Sequence, residues 1–358
     1  MTHFLQDILR QPQELERALT YLSGAGRREL QTAADAIRKA RHVYLTGMGS
    51  SWHAAFGAGA ILSLAGMPVH MQDAAELLHF ATFPADSVVI TISRSGLSAE
   101  IVQLVAKARQ SGATVVGITN SADGALAQQA HLSILIPTLR DHAISVNTYS
   151  TLAVASAALA SAAVNSFSDE LAASLRGTVV ETNRRIPDWQ ALIAGNQWFA
   201  PGKIVHFLGR GGSFGSCHEA RLLWEEGAKS EATALGTSSF RHGPQEIVAK
   251  GSRFAMWMDG QTCREQDLSV ARDLKRLGAA VVLIGQNLPS DTGDLVFQLP
   301  AVPAEWQFMI DTVPAQLAAE YLSRISGVDC DSFRVCSYIV EDEYGLIGAG
   351  PAVCEDSK

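Results

Sequence analysis

The segment that decides the fold reads SVVITISRSGLSAE over residues 87–100. Residues 87–91 form a short apolar run rich in β-branched side chains, which predicts a buried strand. Three serines (Ser93, Ser95 and Ser98) and Gly96 follow, in a turn before a segment of helical period. A strand, a turn and a helix in this order predict one unit of an α/β fold with a parallel sheet.

The same alternation of strands and helices occurs twice along the chain. GMGSSW at residue 47 recurs as GRGGSF at residue 209, and the predicted strands repeat with nearly the same separation. The predicted strands are 42–47, 68–71, 87–91, 114–118 and 132–137, followed by 203–209, 232–236, 253–258, 279–285 and 295–299. We therefore expect an internal duplication with one five-stranded parallel sheet in each half. Predicted helices 4–22, 151–163 and 169–192 connect and cover the two halves.

The composition excludes several classes of protein. The chain has 358 residues, 47% of them hydrophobic and 18% charged, and its formal net charge of −8 gives no basic surface for nucleic acid. We find no secretory signal at the start, and the longest small-apolar stretch, 151–164, is too short to cross a bilayer. The sequence therefore predicts a cytoplasmic protein with no membrane partner. Five cysteines, at positions 217, 263, 330, 336 and 354, lack metal-ligand spacing, so we expect reduced thiols and no metal.

The serine turn after the third predicted strand has the chemistry of a phosphate site. Backbone N–H groups at a helix start attract anions, Gly96 permits close approach, and the hydroxyls of Ser93, Ser95 and Ser98 add hydrogen bonds. Arg94 adds charge, and the opening loop 49–51 adds Gly49, Ser50 and Ser51, with Ser51 as a further donor. The alternative is an ordinary serine-rich helix cap.

The second half lacks this turn. The counterpart of Ser93 is Asp259, whose carboxylate would repel an anion, so we assign phosphate binding to the first half. Trp52 and Phe214 stand where a dinucleotide fold needs its third glycine, so neither opening loop indicates a nicotinamide cofactor. No cofactor is expected.

Acid and base candidates occur in the second half. Glu219 and Glu226 lie two helical turns apart, on a face that also carries leucines. They are either a solvated surface pair or partly buried, and burial would raise the pKa of at least one carboxyl. His242 lies in a loop before a Gly-Pro step and is either a proton shuttle or a hydrogen-bonded structural residue. Asn147 and Thr148, in a loop that sequence alone does not place, are further substrate-site candidates.

Taken together, these motifs resemble the SIS (sugar isomerase) family, most closely the tandem isomerase half of glucosamine-6-phosphate synthase and its stand-alone isomerase and deaminase relatives. The resemblance implies two tandem flavodoxin-like three-layer αβα domains, at 35–165 and 199–340. A helical segment 1–34, a helical linker 166–198 and a tail 341–358 complete the chain. It also implies a sugar phosphate held by Ser51, Ser93, Ser95 and Ser98, a proton moved between C1 and C2 by Glu226, and ring opening assisted by His242. In the family this histidine reaches a neighbouring subunit's site, so a homodimer with shared active sites is implied.

The sequence departs from the family pattern at three places. A glutaminase domain with its N-terminal cysteine is absent, so amidotransfer from glutamine is not expected. Leu223 replaces a lysine, and the family's Arg-Asn-Leu-x-Lys tail reads RVCSY over 334–338, with Lys229 as the only nearby substitute. We predict an isomerase of a hexose or aminohexose 6-phosphate that works through an enediol or enolamine. Alternatives are an amino-sugar-phosphate deaminase, a deglycase, and a sugar-phosphate sensor without catalysis.

Overall fold

Ten strands form two separate parallel sheets in the computed structural model, which describes residues 1–346. Residues 347–358, which include Cys354 and most of the predicted tail, lie outside the described residues. The strands of the first sheet are β1 (His42–Thr46), β2 (His70–Met71), β3 (Ser87–Ser93), β4 (Thr114–Thr119) and β5 (Leu132–Leu135). Those of the second are β6 (Val205–Gly209), β7 (Ala232–Gly236), β8 (Arg253–Trp257), β9 (Ala280–Gly285) and β10 (Leu295–Gln298).

The two sheets have the same topology, which confirms the predicted fold class and the duplication. Their strand orders are β2-β1-β3-β4-β5 and β7-β6-β8-β9-β10. In each sheet the first strand of its half lies between the second and the third, and every pairing is parallel. The edge strand β2 is shorter than the predicted 68–71, because Pro68 has no N–H to donate to a sheet. The predicted domain boundaries stay predictions.

Helices cover both sheets and join the halves. They are α1 (His3–Ser23), α2 (Arg27–Lys39), α3 (Ser50–His53), α4 (Ala55–Leu64), α5 (Ala74–Phe80), α6 (Ala99–Gln110), α7 (Ala125–Gln129), α8 (Asn147–Ala163), α9 (Asp169–Ile193), α10 (Ser213–Glu226), α11 (Thr237–Phe240), α12 (Arg264–Arg276) and α13 (Val313–Ile325). Short 3-10 turns occupy Gln197–Phe199, Pro244–Ile247 and Ala304–Met309. None of the helices in the described residues is both long and apolar enough to cross a bilayer.

Helix α8 lies at the centre of the molecule. All of its residues are buried, and most are alanine or serine, so α1, α2 and α4 can approach it closely. Helix α10 of the second half packs on α3 and α4 of the first half, and the main hydrophobic core includes residues of both halves. This packing brings the carboxyl end of α10 to the carboxyl ends of β1 and β3.

Candidate active site

A cavity of about 260 Å³ lies where the first sheet meets α10. The first half contributes the loop after β1 and the turn after β3, and the second half contributes the end of α10 and the chain that follows α13. Ligands of open α/β folds bind in the crevice outside the carboxyl ends of the strands, and this cavity has that position. Eight of the predicted site residues line it together. Seven belong to the first half, and the eighth, Glu226, belongs to the second; the seven are Gly49, Ser50, Ser51, Ser93, Arg94, Ser95 and Ser98.

The serine turn is organised by its own hydroxyl groups. The Gly96 N–H donates to Ser93 Oγ over 3.0 Å, the Leu97 N–H to Ser95 Oγ over 3.2 Å, and the Arg94 N–H to Ser51 Oγ over 3.3 Å. These bonds use the oxygen of each serine as an acceptor, so each hydroxyl hydrogen is free to be donated. The turn therefore presents several O–H donors to the cavity at one place.

Ser98 and Gly96 differ from the residues of an ordinary helix cap. Ser98 occupies the N-cap position of α6, yet its side chain makes no capping hydrogen bond. Gly96 has a φ of 67°, in the left-handed region, and a Cβ there would lie 3.0 Å from Leu126 Cβ. A helix cap alone explains neither the uncommitted hydroxyl nor the tight turn.

Glu226 is the last residue of α10, and its carboxylate lines the cavity. Burial raises the pKa of this carboxyl to about 7, against the lowering effects of Arg94 and Lys229. A carboxyl group with a pKa near 7 is both a competent base and a competent acid at neutral pH. Such a group can take a proton from a substrate carbon and return it.

Glu219 lies behind the cavity wall, fully buried. Its Oε1 accepts a 3.0 Å hydrogen bond from Ser50 Oγ, and its Oε2 lies 2.7 Å from Nδ1 of His53. Burial raises the pKa of Glu219 to about 8 and lowers that of His53 to about 3, so the proton resides on the carboxyl group. Ser50 lines the cavity and connects this neutral pair to it.

Sequence analysis missed His53. Its signal in the sequence is weak, because the residue that it contacts is 166 positions away and belongs to the other half. Only the packing of α3 against α10 brings the two side chains together.

Asn147 and Thr148 do not line the cavity. They begin α8 and are buried, where Asn147 Nδ2 donates to Asp141 Oδ1 over 2.7 Å and Thr148 Oγ1 donates to Asp141 Oδ2 over 2.6 Å. These bonds fix the loop that leads to Ser145, and Ser145 does line the cavity. The two residues thus shape the cavity wall from behind it.

His242 is also placed away from the cavity of its own chain. It is exposed, in the turn after α11, where its backbone N–H donates to the Ser239 carbonyl over 3.1 Å. The neighbouring Gly243 has a φ of 124°, which fixes a sharp turn at this point. A contribution of His242 to catalysis therefore requires a second copy of the chain.

The chain after α13 covers one side of the cavity. Residues 336–340 line it, and the Val340 carbonyl accepts a 3.1 Å hydrogen bond from the Ala99 N–H at the start of α6. Lys229 points elsewhere, because its Nζ donates to the backbone carbonyls of Glu226 and Ser332. None of the described residues that line this cavity is a lysine, so Lys229 does not supply the missing family lysine.

The corresponding place in the second half is occupied by side chains of the protein. Arg210, in the loop after β6, forms a 2.7 Å ion pair with the buried carboxylate of Asp267. Asp267 also accepts a 3.1 Å hydrogen bond from the Asp259 N–H, at the position that matches Ser93. The second half thus satisfies its own charges here and has no turn of serines.

The first half of the chain is similar to a known domain family. A family model described as "SIS domain" matches residues 36–162, which contain the whole first sheet and the serine turn. Residues 36–162 form a SIS domain. The second half repeats the topology of this domain, so the chain is built from tandem SIS-like units.

Nearly the whole chain is similar in sequence to part of a larger enzyme. The glutamine–fructose-6-phosphate aminotransferase (isomerizing) of Pyrococcus horikoshii is 27% identical to this chain, in an alignment that covers 93% of the chain. The chain spans only 56% of that relative's length.

Two solved structures match nearly the whole fold. The C-terminal domain of glucosamine-fructose-6-phosphate aminotransferase from Francisella tularensis has a TM-score of 0.80 at 20% identity, covering 92% of this chain and 97% of that one. Tagatose-6-phosphate ketose/aldose isomerase from Escherichia coli has a TM-score of 0.79 at 24% identity, covering 92% and 95%. At these identities the structures establish the fold of the SIS-domain chain and not its activity.

Proposed function

We propose that the protein isomerises a hexose or aminohexose 6-phosphate by moving a proton between C1 and C2. The observation that carries the proposal is the meeting of two unlike groups in one cavity: the serine turn of the first half and the Glu226 carboxyl of the second. The turn suits a phosphate, and the carboxyl group, with its pKa of about 7, suits proton transfer at carbon.

Phosphate binding falls to Ser51, Ser93, Ser95 and Ser98, whose hydroxyl hydrogens are free to bond phosphate oxygens. The start of α6 adds the positive end of a helix dipole. A phosphate held at this end directs the rest of an open-chain sugar along the cavity. This orientation puts C1 and C2 of the sugar near the Glu226 carboxyl, which can then transfer a proton between them.

The chemical step balances without a cofactor. The Glu226 carboxylate takes the proton from C2 of the open-chain aldose, the C–H electron pair forms the C1=C2 double bond, and the carbonyl pair moves to O1. Return of the proton to C1, with transfer of the O2 proton to O1, gives the ketose. An aminohexose follows the same path through an enolamine to a C2 imine. Hydrolysis of this imine by water, which releases ammonia and leaves the ketose, would make the reaction a deamination.

His242 completes the proposed site from a second copy of the chain. An imidazole titrates near neutral pH, so it can pass a proton to the ring oxygen as the sugar opens. His242 is exposed and lies away from its own cavity, which agrees with a role across a dimer interface. We accordingly propose a homodimer whose active sites are shared between the subunits.

A panel of hexose and aminohexose 6-phosphates tests the proposal. We expect turnover of at least one compound by the native protein, and we expect Glu226→Gln to bind that compound with similar affinity while losing at least about 100-fold in kcat. Tight binding of a sugar phosphate by the native protein without turnover of any compound would instead indicate a sensor. The absence of a lysine from the part of the cavity wall formed by residues 1–346 makes this second outcome worth measuring.

A further inference from the structure

Arg94 is the single cationic residue among residues 1–346 that line the cavity. The other charged residues in this described part of the lining are Glu100 and Glu226. The Arg94 guanidinium makes no ion pair within residues 1–346, because its two side-chain hydrogen bonds go to neutral oxygens. Its charge is therefore not neutralised by the protein and is available to a ligand.

The guanidinium is bound by groups outside the serine turn. Nη1 donates to Ser145 Oγ over 2.8 Å, and Nη2 donates to the Tyr338 carbonyl over 2.7 Å. The guanidinium carbon also lies 4.0 Å from the centre of the Tyr338 ring, a cation–π contact. These partners belong to the loop before α8 and to the chain after α13, so they direct the charge toward those walls.

Arg94 and Glu226 act on the same part of the cavity. The Arg94 charge lowers the pKa of Glu226 against the larger effect of burial. It also lowers the pKa of the Cys336 thiol, which burial and the Glu226 carboxylate raise. Cys336 lies two residues before Tyr338, so one region of the cavity is within electrostatic reach of both the base and the guanidinium.

We propose that Arg94 is a catalytic residue that stabilises the enediolate oxyanion, and that Ser145 and Tyr338 position it for this purpose. The inference rests on the proposed function. When Glu226 removes the C2 proton, the carbonyl electron pair moves to O1, and this oxygen becomes negative. A fixed guanidinium hydrogen bond to O1 lowers the energy of that charge, and it needs no lysine and no Schiff base. The phosphate is left to the hydroxyl and N–H donors of the serine turn.

Two unreactive ligands separate the roles of oxyanion stabilisation and phosphate binding. A hexitol 6-phosphate carries the phosphate but no charge at C1, whereas a sugar hydroxamate of matching length carries the same phosphate and imitates the enediolate. We expect Arg94→Gln to bind the hexitol phosphate within about threefold of the native protein. The same variant should lose about 100-fold of its affinity for the hydroxamate and about 100-fold in kcat.

Three further variants make the comparison specific. Ser95→Ala should weaken both ligands equally, by about tenfold, because it removes a hydrogen bond to a charged phosphate. Tyr338→Leu keeps the backbone carbonyl and removes the ring, so it should cause a smaller loss confined to the hydroxamate and kcat. Arg109→Gln, an exposed arginine at the far end of α6, should change neither ligand.

Equal weakening of both ligands by Arg94→Gln would overturn the inference and make Arg94 a phosphate ligand. No change in either ligand, or native protein that binds the hydroxamate no more tightly than the hexitol phosphate, would also overturn it. These results are independent of the proposed function, which fails only if native protein turns over no sugar phosphate. Retained folding of Arg94→Gln is checked by its thermal transition, and Arg94→Lys, which keeps the charge, should recover part of the lost kcat.

Discussion

The Ser50 hydroxyl donates a 3.0 Å hydrogen bond to Oε1 of Glu219 and so joins the loop after β1 to helix α10. The two residues belong to different halves of a duplicated chain. Because Glu226 lies two helical turns beyond Glu219, this bond helps to fix the distance between the proposed base and the serine turn. The halves have thus diverged: one keeps an anion site, and the other supplies the carboxyl groups.

The activity should depend on pH through Glu226. Burial raises the pKa of its carboxyl to about 7, and only the ionised form accepts a proton. We therefore expect kcat/KM to rise with pH to a plateau, with its midpoint near pH 7. Steady-state rates between pH 5 and 9 measure this rise in kcat/KM.

Glu219→Gln provides the matched control for that midpoint. The variant keeps a hydrogen-bond donor toward His53 Nδ1 and is neutral, as the buried Glu219 carboxyl itself is below about pH 8. We expect its midpoint to stay near pH 7. A native midpoint near 4.5, the ordinary value for glutamate, would show that Glu226 is not the titrating base.

Most of the fold follows from patterns that are local in sequence. Each of the ten strands lies where a short apolar run was predicted. Strand β3, for example, is buried along its whole length and consists largely of β-branched residues. The serine turn was equally local, since strand end, turn and helix start are contiguous. The repeat of GMGSSW as GRGGSF identified the second half.

Parts of the site that depend on distant packing were not predictable. The contact of His53 with Glu219 needs α3 and α10 to pack across the two halves. The position of Tyr338 over Arg94 needs the chain after α13 to return to the first half, and a loop has no periodicity that shows this. Asn147 and Thr148 were expected at the substrate and instead bind Asp141, because helix α8 begins earlier than the apolar run suggests.

Stability should respond to a buried carboxyl that has no catalytic role. Burial raises the pKa of Asp311 to about 7. The carboxyl therefore binds a proton more tightly in the folded protein than in the unfolded chain. Its contribution to the free energy of unfolding is complete below about pH 4 and is lost as the pH rises through 7. We expect Asp311→Asn to gain stability relative to native protein between pH 5 and 8, by on the order of 2–4 kcal/mol at most.

Thermal transitions of both proteins at pH 5, 6.5 and 8 test this expectation. The comparison is a difference between variant and native protein, so the opposite effects of buried histidines such as His53 cancel. Asp123→Asn, at an exposed position, should track native protein at each pH. A constant difference for Asp311→Asn would show that this carboxyl does not titrate in that range.

Gly96→Ala should impair both folding and phosphate binding. The left-handed conformation at φ 67° costs an alanine about 1–2 kcal/mol, and its Cβ would lie 3.0 Å from Leu126 Cβ. Gly66→Ala is the control, because Gly66 has a φ of 76° with no atom near the added Cβ. We expect similar backbone strain in both variants, with weaker inorganic phosphate binding only in Gly96→Ala; equal phosphate affinity in the two would contradict a phosphate role for the turn.

Shared active sites predict complementation between inactive subunits. Glu226→Gln and His242→Asn should each be inactive as homodimers, since each removes one group from every site. Subunits mixed in equal amounts and allowed to exchange should recover about a quarter of native activity, because half of the dimers then contain one intact site of two. Recovery of no activity, with exchange confirmed by mass, would contradict shared active sites, and an active His242→Asn homodimer would remove His242 from the reaction.

A crystal structure with a bound hexose 6-phosphate tests the central claim most directly. The account predicts a phosphate within hydrogen-bond distance of the Ser93, Ser95 and Ser98 hydroxyls, with C1 and C2 beside the Glu226 carboxylate. A phosphate bound outside the serine turn, or a sugar whose first two carbons point away from Glu226, would contradict it.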